Sequence, residues 1–344
     1  MTSRILVLTA DGDITAERVA GLLTERGAEV LLFDPGTVPS GAQVELTAGG
    51  TGPVRRWLRR SATGGEQDVD LDGLTCVWHR RPSAPVPPHT VTDPDTRAHL
   101  AAEVRTYLDG MWRGLRCRQV PATRDVIDRA DRKSFHLAVA AGLGFALPPT
   151  LITADPDRFL DFYDAHDGKI ITKPLHRSPR GTEDAPLGRF TEPVGNRDLA
   201  HVGALRLAPM IVQAYVPKRV EVRVTVVGGA VFAAEIHSQA TAHTRYDWRR
   251  YDHANTPLKV HPLPRDVTER CRALVAALGL SFGAVDLILT PEGRYVFLEI
   301  NPNGQFDWLE LATGLPITDA VARLLQTGPV TDSVTGSVTG GVPA

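Results

Sequence analysis

The chain has 344 residues, a formal net charge of −2 and 42 % hydrophobic side chains, so it is long enough for roughly two or three compact units with buried cores. The near-neutral charge argues against a nucleic-acid partner and against membrane-surface binding. No stretch approaches a membrane span, and the N-terminus lacks a long apolar segment, so we expect a cytoplasmic protein with no membrane partner. Three widely spaced cysteines predict buried thiols rather than a disulfide framework or a zinc site; they are Cys76, Cys117 and Cys271.

A β-α-β unit is predicted at the start of the chain. Apolar runs at Arg4–Thr9 and Glu29–Phe33 predict two strands, and the helical spacing between them predicts a helix over Ile14–Arg26 that stops at Gly27. This order favours a parallel sheet. The turn Asp11-Gly12-Asp13 lacks the three-glycine dinucleotide fingerprint, which argues against a nicotinamide site there.

The first domain is predicted to cover residues 1–122, ending near Pro121. Residues 35–72 are rich in glycine and arginine with one short strand signal, which predicts a surface excursion. A further strand is predicted at Leu74–Trp78, and residues 92–116 predict one amphipathic helix.

A second domain is predicted over residues 123–209. Its elements alternate between helix and strand: a helix at Arg129–Ala141, a strand at Leu151–Thr153, a helix at Ala154–Ala165 and a strand at Lys169–Lys173. Residues 174–190 are rich in Pro, Gly, Arg and Asp and predict a mobile loop.

A third domain is predicted over residues 210–326, built on two hairpins. The predicted elements are a strand at Met210–Val216, a hairpin of Val220–Val227 and Ala230–Ile236 around Gly228-Gly229, a helix at Thr268–Leu278, a hairpin of Ala284–Leu289 and Tyr295–Ile300, and a helix at Thr318–Leu325. Residues 327–344 repeat Ser-Val-Thr-Gly and predict a disordered tail.

The second hairpin predicts a metal site. If it folds symmetrically about Glu292 and Gly293, Asp286 lies opposite Glu299, and Asn301 emerges on the same face. Two carboxylates and an amide oxygen are a hard-oxygen set suited to magnesium. The alternative is a surface hairpin with a polar outer face. The apolar neighbours are expected to face a core; they are Val285, Leu287, Leu298 and Ile300.

Basic residues at element ends are candidate phosphate ligands. Lys173 closes a strand before Pro174, and Lys133 begins a helix, where a bound anion would offset the unfavourable helix dipole; the alternative for Lys133 is a solvated side chain. Glu221 and Arg223 leave the same face of one strand, so Arg223 either recognises phosphate or pairs with Glu221.

The strand at Met210–Val216 is a candidate wall for a nucleotide base. Its backbone could line the base, and Gln213 could add a side-chain contact. A simple buried strand is the alternative reading.

Taken together, these residues resemble ATP-grasp enzymes from about residue 120 to about residue 325, and more closely the macrocyclases of ribosomal peptides of the graspetide (omega-ester peptide) class. The motifs that carry the resemblance are Val77-Trp-His-Arg-Arg-Pro82, Asp131-Arg-Lys133, Ile171-Thr-Lys-Pro174, Gln213-Ala-Tyr-Val216, Glu221-Val-Arg-Val-Thr-Val226, Glu235-Ile-His-Ser238, and Phe297-Leu-Glu-Ile-Asn-Pro-Asn-Gly-Gln305 continued by Trp308 and Thr313-Gly-Leu-Pro-Ile317. The implied fold is α/β (α+β ATP-grasp), with an N-terminal pre-ATP-grasp parallel-sheet domain followed by two ATP-grasp subdomains with antiparallel sheets.

The resemblance implies ATP and Mg²⁺ as cofactors and a role for each candidate residue. Lys133 and Lys173 bind phosphates; Gln213, Ala214, Tyr215 and Val216 line the adenine pocket; Arg223 acts in catalysis on the γ-phosphate; and Asp286, Glu299 and Asn301 hold magnesium, with Asn301 also facing the nucleotide. Glu221 belongs to the same site but departs from the family, where a shorter Asp is common.

The implied reaction phosphorylates an Asp or Glu side chain of a precursor peptide. A Ser or Thr hydroxyl, or a Lys amine, then attacks the acyl phosphate and closes an ester or amide link. The implied partners are the leader and core of that peptide. Because dimers are usual in the family, a second copy of the chain in a homodimer is implied as well. Arg249, within a basic aromatic segment beside Trp248, is the candidate catalytic ligand of the peptide carboxylate, and Arg80 and Arg81 are similar candidates.

Two other functions remain open on the sequence. One is a different ATP-grasp carboxylate–amine ligase acting on small amino-acid substrates, which would use the same ATP residues. The other is a non-catalytic ATP-binding regulatory module.

Overall fold

The computed structural model describes residues 2–50, 52–62, 65–175, 191–240, 246–248 and 256–326. These residues fall into two compact units, one running to Val120 and including the described residues from Ala322, the other covering Pro121–Val321. The predicted further division at residue 209 stays a prediction. The predicted disordered tail, 327–344, and most of the predicted mobile loop lie outside the described residues. No helix in the described ranges has the length and apolarity needed to cross a membrane.

The first unit is built on a parallel sheet, as predicted. Its elements are strands β1 (Arg4–Thr9), β2 (Glu29–Phe33), β6 (Cys76–Arg81) and β7 (Arg118–Val120), with helices α1 (Ile14–Glu25) and α2 (Pro94–Arg113). The strand order is β2-β1-β6-β7, and all three pairings are parallel. The Asp13 side chain caps α1 by accepting from the Ala16 amide at 3.2 Å, which fixes where the helix begins.

The predicted surface excursion at residues 35–72 is wrong. This segment forms a three-stranded antiparallel sheet of β3 (Ala42–Thr47), β4 (Arg55–Ala62) and β5 (Gly65–Asp70). Val44, Leu58 and Val69 are buried in the core of the first unit. The other positions carry charges that pair across strands, as Arg59 does with Asp68 at 2.7 Å. Because charged residues are frequent in this segment, the alternation of buried and exposed positions could not be recognised from the sequence.

Two helices replace the single helix predicted at Arg129–Ala141. They are α3 (Arg124–Ala130) and α4 (Lys133–Gly142). Arg132 between them is extended, with φ −74° and ψ 114°. This break makes Lys133 the first residue of α4, whereas the predicted helix began four residues earlier, at Arg129.

The second unit contains two antiparallel sheets, in agreement with the predicted fold class. One has the order β10-β9-β11-β8, and the other β14-β13-β12-β15-β16. The strands are β8 (Thr150–Thr153), β9 (Ile170–Lys173), β10 (Glu192–Pro193), β11 (Met210–Ala214), β12 (Val220–Val227), β13 (Ala230–Ile236), β14 (Leu258–Val260), β15 (Phe282–Leu289) and β16 (Tyr295–Asn301). The remaining helices are α5 (Pro156–Ala165), α6 (Asn196–Ala200), α7 (Arg265–Ala277), α8 (Asp307–Thr313) and α9 (Ile317–Gln326).

The β15–β16 hairpin pairs Asp286 with Glu299, as predicted, but its turn is different. Near the turn Leu287 pairs with Phe297 and Leu289 with Tyr295, so the hairpin is centred on Glu292 alone and five residues, 290–294, connect its strands. An irregularity after Asp286 shifts the register by one and restores the predicted pair. Leu298 sits at this bulge. It lines a cleft, so the expectation that it faces the core is wrong.

Candidate active site

Three neighbouring strands place charged side chains in one row. Arg223 on β12 pairs in register with Asp286 on β15, which pairs with Glu299 on β16. The residues next to them along the strands, such as Val224 and Val285, point to the other face of the sheet and pack in the core. The period of two therefore divides the sheet into an apolar face and a polar face.

Asp286 is the centre of this row. The Arg223 Nη1 donates to Asp286 Oδ1 at 2.7 Å and Oδ2 at 2.6 Å, and Asn301 Nδ2 donates to Oδ2 at 3.2 Å. Arg223 is 5 % exposed and Asp286 9 %. Such burial rules out the alternative of a surface hairpin with a polar outer face. The Arg223 guanidinium also lies 5.5 Å from the ring centre of Trp248.

Glu299 is paired with Lys133. The Nζ atom lies 3.2 Å from Glu299 Oε2, and the lysine side chain is only 15 % exposed. The alternative of a solvated Lys133 is therefore wrong. The carboxylate also offsets the unfavourable position of a cation in the first turn of α4.

The donor set of this row fits magnesium. The Asn301 amide nitrogen is turned toward Asp286, which leaves its oxygen as a potential ligand beside two carboxylates. Magnesium takes few protein ligands and completes its shell with phosphate and water. Among the described residues no group of three or more His, Cys, Asp or Glu side chains is placed to hold a metal ion.

A cleft of about 580 Å³ opens between the two sheets of the second unit. Its apolar walls are Ile171 from one sheet and Ile288 and Leu298 from the other. The predicted site residues that line it are Lys173, Gln213, Ala214, Tyr215, Val216, Glu221, Asp286 and Glu299. A cleft that combines apolar walls with charged lining residues suits a nucleotide.

The strand predicted to line a base is largely used within its own sheet. The Ala214 amide donates to the Pro149 carbonyl at 2.9 Å, and the Tyr215 amide to the Lys169 carbonyl at 2.8 Å. These two N–H groups are engaged, so recognition of a base at this position depends on other groups of the strand.

Glu221 has partners that the sequence did not reveal. Lys218 Nζ lies 2.7 Å from Glu221 Oε1, and the Ser238 hydroxyl donates to the same oxygen at 2.7 Å. The proposed ion pair between Glu221 and Arg223 is wrong, because Arg223 pairs with Asp286 instead. The only signal for the observed pair in the sequence is that Lys218 lies three residues before Glu221. The sequence did not predict the conformation of the turn that brings them together.

A second cleft, of about 670 Å³, shares Glu299 with the first. Lys133, Glu299 and Asn301 line it, together with His136 on α4. Burial lowers the pKa of His136 to about 4, against a weaker opposing effect of Glu299, so its imidazole is neutral near pH 7. Sequence reasoning did not select His136, because a lone histidine within a helix carries no spacing signal.

Two of the three candidate ligands of a peptide carboxylate, Arg80 and Arg81, lie at the end of β6 in the first unit. Arg249 lies outside the described residues. Arg80 is 1 % exposed and forms an ion pair with Asp13, with 3.3 Å between Nε and Oδ2. That pairing leaves Arg80 little access to an outside carboxylate.

Comparison with known proteins decides the family. The structure matches that of macrocyclase MdnB from Microcystis aeruginosa MRC with a TM-score of 0.79 and 32 % identity, covering 95 % of this chain and 100 % of that one. The chain belongs to the family of ATP-grasp peptide macrocyclases. Residues 4–126 also match the family model of the MvdD pre-ATP grasp domain. A search of curated proteins found no match.

Two further macrocyclase-like structures resemble the chain over nearly its whole length. Macrocyclase MdnC from the same organism, bound with precursor peptide MdnA, has a TM-score of 0.82 and 28 % identity, covering 94 % of this chain and 99 % of that one. A RiPP-associated ATP-grasp ligase from Chryseobacterium gregarium, in complex with ADP and a leader and core peptide, has a TM-score of 0.84 and 26 % identity, covering 94 % and 96 %. The predicted family and fold class are confirmed.

Proposed function

We propose that the chain is an ATP-dependent peptide macrocyclase. It phosphorylates Asp or Glu side-chain carboxylates of a ribosomal precursor peptide, and hydroxyls or amines of the same peptide displace the phosphate. The observation that carries this proposal is the row of Arg223, Asp286 and Glu299 in a member of the macrocyclase family, with Asp286 and Glu299 lining the cleft.

The nucleotide is proposed to lie in the first cleft. Its base fits between Ile171 and the pair Ile288 and Leu298, which supply apolar walls. Lys173, at the end of β9, lines the same cleft. The phosphates would extend toward Lys133, where the second cleft begins.

Asp286, Glu299 and Asn301 are proposed to hold magnesium at the phosphates. When bound, the ion neutralises charge on the transferred phosphoryl group and helps to orient it. Both carboxylates are paired with protein cations, Arg223 and Lys133. When a nucleotide binds, Arg223 and Lys133 would pair with its phosphates. The carboxylates of Asp286 and Glu299 would then be available as ligands for the metal.

The chain's own residues then act by position and charge. Arg223 and Lys133 donate hydrogen bonds to phosphate oxygens, where negative charge develops in the transition state. A peptide carboxylate oxygen bonds to the γ-phosphorus, the bond to the bridging oxygen breaks, and ADP leaves. The attacking hydroxyl or amine bonds to the acyl carbon, phosphate leaves, and the proton of the attacking group passes to solvent or to the phosphate.

The partners are proposed from the relatives. Because MdnC binds precursor peptide MdnA, and the Chryseobacterium gregarium ligase binds a leader and a core peptide, a precursor peptide with both parts is the proposed substrate here. Arg249 stays a proposed ligand of its carboxylate. A homodimer and a cytoplasmic location are proposed as well.

The proposal is tested with purified chain and MgATP against a library of Thr-rich acidic peptides and a set of single amino acids. We expect phosphate release together with loss of one water per link, measured by mass spectrometry, with peptides only. Asp286→Asn is the inactive control, because it weakens the metal site without changing the side chain's shape. Release with amino acids alone would instead indicate a small-substrate ligase, and tight ATP binding without release a regulatory module.

A further inference from the structure

Three consecutive residues along the wall of the first cleft form a strap, which we define as Tyr246, Asp247 and Trp248. The Asp247 side chain is buried, and its Oδ2 accepts a hydrogen bond from the Thr191 amide at 3.0 Å. The Tyr246 ring contacts the Tyr215 ring, with 5.5 Å between their centres. Thr191 directly precedes β10 and Tyr215 directly follows β11, so these contacts tie the strap to the sheet that contains both strands.

Trp248 connects the strap to the other sheet of the second unit. Its ring lies on that of Trp308, with 4.8 Å between the ring centres and 33° between the ring planes, which is the geometry of a tilted aromatic stack. Trp308 belongs to α8, and two residues before it Phe306 is fully buried beside Phe282 of β15. The Trp248–Trp308 pair is therefore anchored on the sheet that carries the row of charged residues.

The Trp248–Trp308 pair helps to bury Arg223. The Arg223 guanidinium lies 5.5 Å from the Trp248 ring centre, and the residue is only 5 % exposed. Its Nη1 is bonded to Asp286, whereas its buried Nε has no hydrogen-bond partner in the part of the chain that the structure describes. A buried donor of this kind destabilises a fold unless a ligand supplies the acceptor. Arg223 thus presents a hydrogen-bond donor that water does not reach.

Exclusion of water has a direct consequence for an acyl phosphate. In the productive step the oxygen or nitrogen of the peptide's attacking group bonds to the acyl carbon, and phosphate leaves. In the competing step a water oxygen bonds to the same carbon, phosphate leaves, a proton passes to solvent, and the free carboxylate is regenerated. The second step consumes an ATP without forming a link. Closing a site against water suppresses such hydrolysis of a reactive intermediate.

We infer that the Trp248–Trp308 pair is a water barrier that couples ATP consumption to link formation. The inference rests on the proposed function, because it concerns the acyl phosphate formed in that reaction. Trp248 lines the first cleft, and Trp308 supports it from α8. Trp308 acts through Trp248 and is therefore a positioning residue. Its loss should change the fate of the acyl phosphate more than the binding of ATP.

The test compares phosphate release with link formation by the full chain in ¹⁸O-labelled water, with MgATP and a peptide that the unmodified chain links. We expect the unmodified chain to release equal amounts of phosphate and links, with no ¹⁸O in either product. Trp308→Ala is expected to raise the ratio of phosphate to links by at least about twofold, because water then reaches the acyl phosphate. The ¹⁸O should enter the carboxylates of unlinked peptide, as measured by mass spectrometry, while the KM for ATP changes little.

Further variants separate the barrier from a general effect on folding. Leu311→Ala is the matched control in α8, because Leu311 is 70 % exposed, and it should keep the ratio of the unmodified chain. Trp308→Phe retains an aromatic face and is expected to restore most of the coupling. Trp248→Ala should raise the ratio as Trp308→Ala does, and the double variant should add little, because both changes open the same barrier.

The outcomes distinguish failure of the barrier from failure of the proposed function. An unchanged ratio without ¹⁸O incorporation in both Trp308→Ala and Trp248→Ala would overturn the inference and leave the proposed function standing. A parallel loss of phosphate release and of links in both variants would do the same, because it would assign the pair to the fold. Absence of links and of peptide-dependent phosphate release in the unmodified chain would overturn the proposed function as well.

Discussion

At the scale of single residues, the site is a set of matched buried charges. Arg223 pairs with Asp286, Lys133 with Glu299, and Lys218 with Glu221. A buried charge that loses its partner costs several kcal/mol, on the order of 3–5 kcal/mol. The charges can therefore exchange partners with a nucleotide and its metal, but none can be removed without consequence.

The planar guanidinium of Arg223 is one feature that a single positive charge should not replace. Its Nη1 contacts both oxygens of Asp286, and its carbon lies 5.5 Å from the Trp248 ring centre. Arg223→Lys keeps the charge but loses the planar guanidinium and its contact with the Trp248 ring. We expect kcat to fall on the order of 10²-fold, measured as phosphate release at saturating ATP. A kcat within twofold of the unmodified chain would contradict a role on the transferred phosphate.

Glu299 allows a matched pair of substitutions in one hairpin. Glu299→Gln removes the charge that pairs with Lys133, while Glu292→Gln removes a charge on the exposed turn. The first is expected to lower phosphate release by at least about 10²-fold. The second should change neither kcat nor the melting temperature. Equal effects of the two substitutions would show that overall charge, and not the position of Glu299, matters.

At the scale of elements, the β15–β16 hairpin shows what the sequence could predict. A hairpin assumed to be symmetric about Glu292 and Gly293 placed Asp286 opposite Glu299, and the structure has this pair. The route to that pair was not predictable, because a turn centred on Glu292 alone and a bulge further along the strands offset each other. A bulge depends on packing against the neighbouring sheet, which the local pattern does not encode. It turns Leu298 toward the cleft, which alternation alone would have placed in the core.

The turn after β16 sets a strict limit on side-chain size. A Cβ added at Gly304 would lie 2.2 Å from the Ala284 Cβ. Gly304→Ala is therefore expected to lower the free energy of unfolding by about 1–3 kcal/mol, measured by urea denaturation. Ala284→Gly in the same chain removes the clashing atom and should recover part of the loss. Gly142→Ala, with open space around the new methyl group, is the control that should not destabilise.

Other elements were missed for local reasons. Helix α8 (Asp307–Thr313) has only seven residues and no side-chain cap at Phe306, so it carries neither a clear period nor a start signal. The break at Arg132 likewise has no glycine or proline to mark it. Both depend on tertiary packing. The predicted helix began at Arg129 and so contained Lys133 near its start, whereas in the structure Lys133 is the first residue of α4.

At the scale of the whole molecule, stability should depend on pH through His136. Burial lowers the pKa of its imidazole from 6.5 to about 4, so between these values the unfolded chain binds a proton that the folded chain does not. The free energy of unfolding should therefore fall as the pH drops from 6.5 toward 4, and should be unaffected by this group above 6.5. Urea denaturation across this range measures the slope.

A substitution distinguishes His136 from the other groups that titrate in acid. His136→Gln is expected to flatten the part of the slope between pH 6.5 and about 4, whatever its effect on stability at neutral pH. An unchanged slope in this variant would assign the acid sensitivity to carboxylates elsewhere in the chain.

The central claim is that one face of three strands holds a divalent ion at the phosphates of a nucleotide, and Mn²⁺ tests it most directly. Electron paramagnetic resonance measures free Mn²⁺ in the presence of the full chain, with and without ADP. We predict that ADP strongly promotes Mn²⁺ binding and that Glu299→Gln and Asn301→Leu each reduce it, whereas Glu292→Gln does not. Mn²⁺ binding that is the same with and without ADP, or that is undiminished in both Glu299→Gln and Asn301→Leu, would contradict the account.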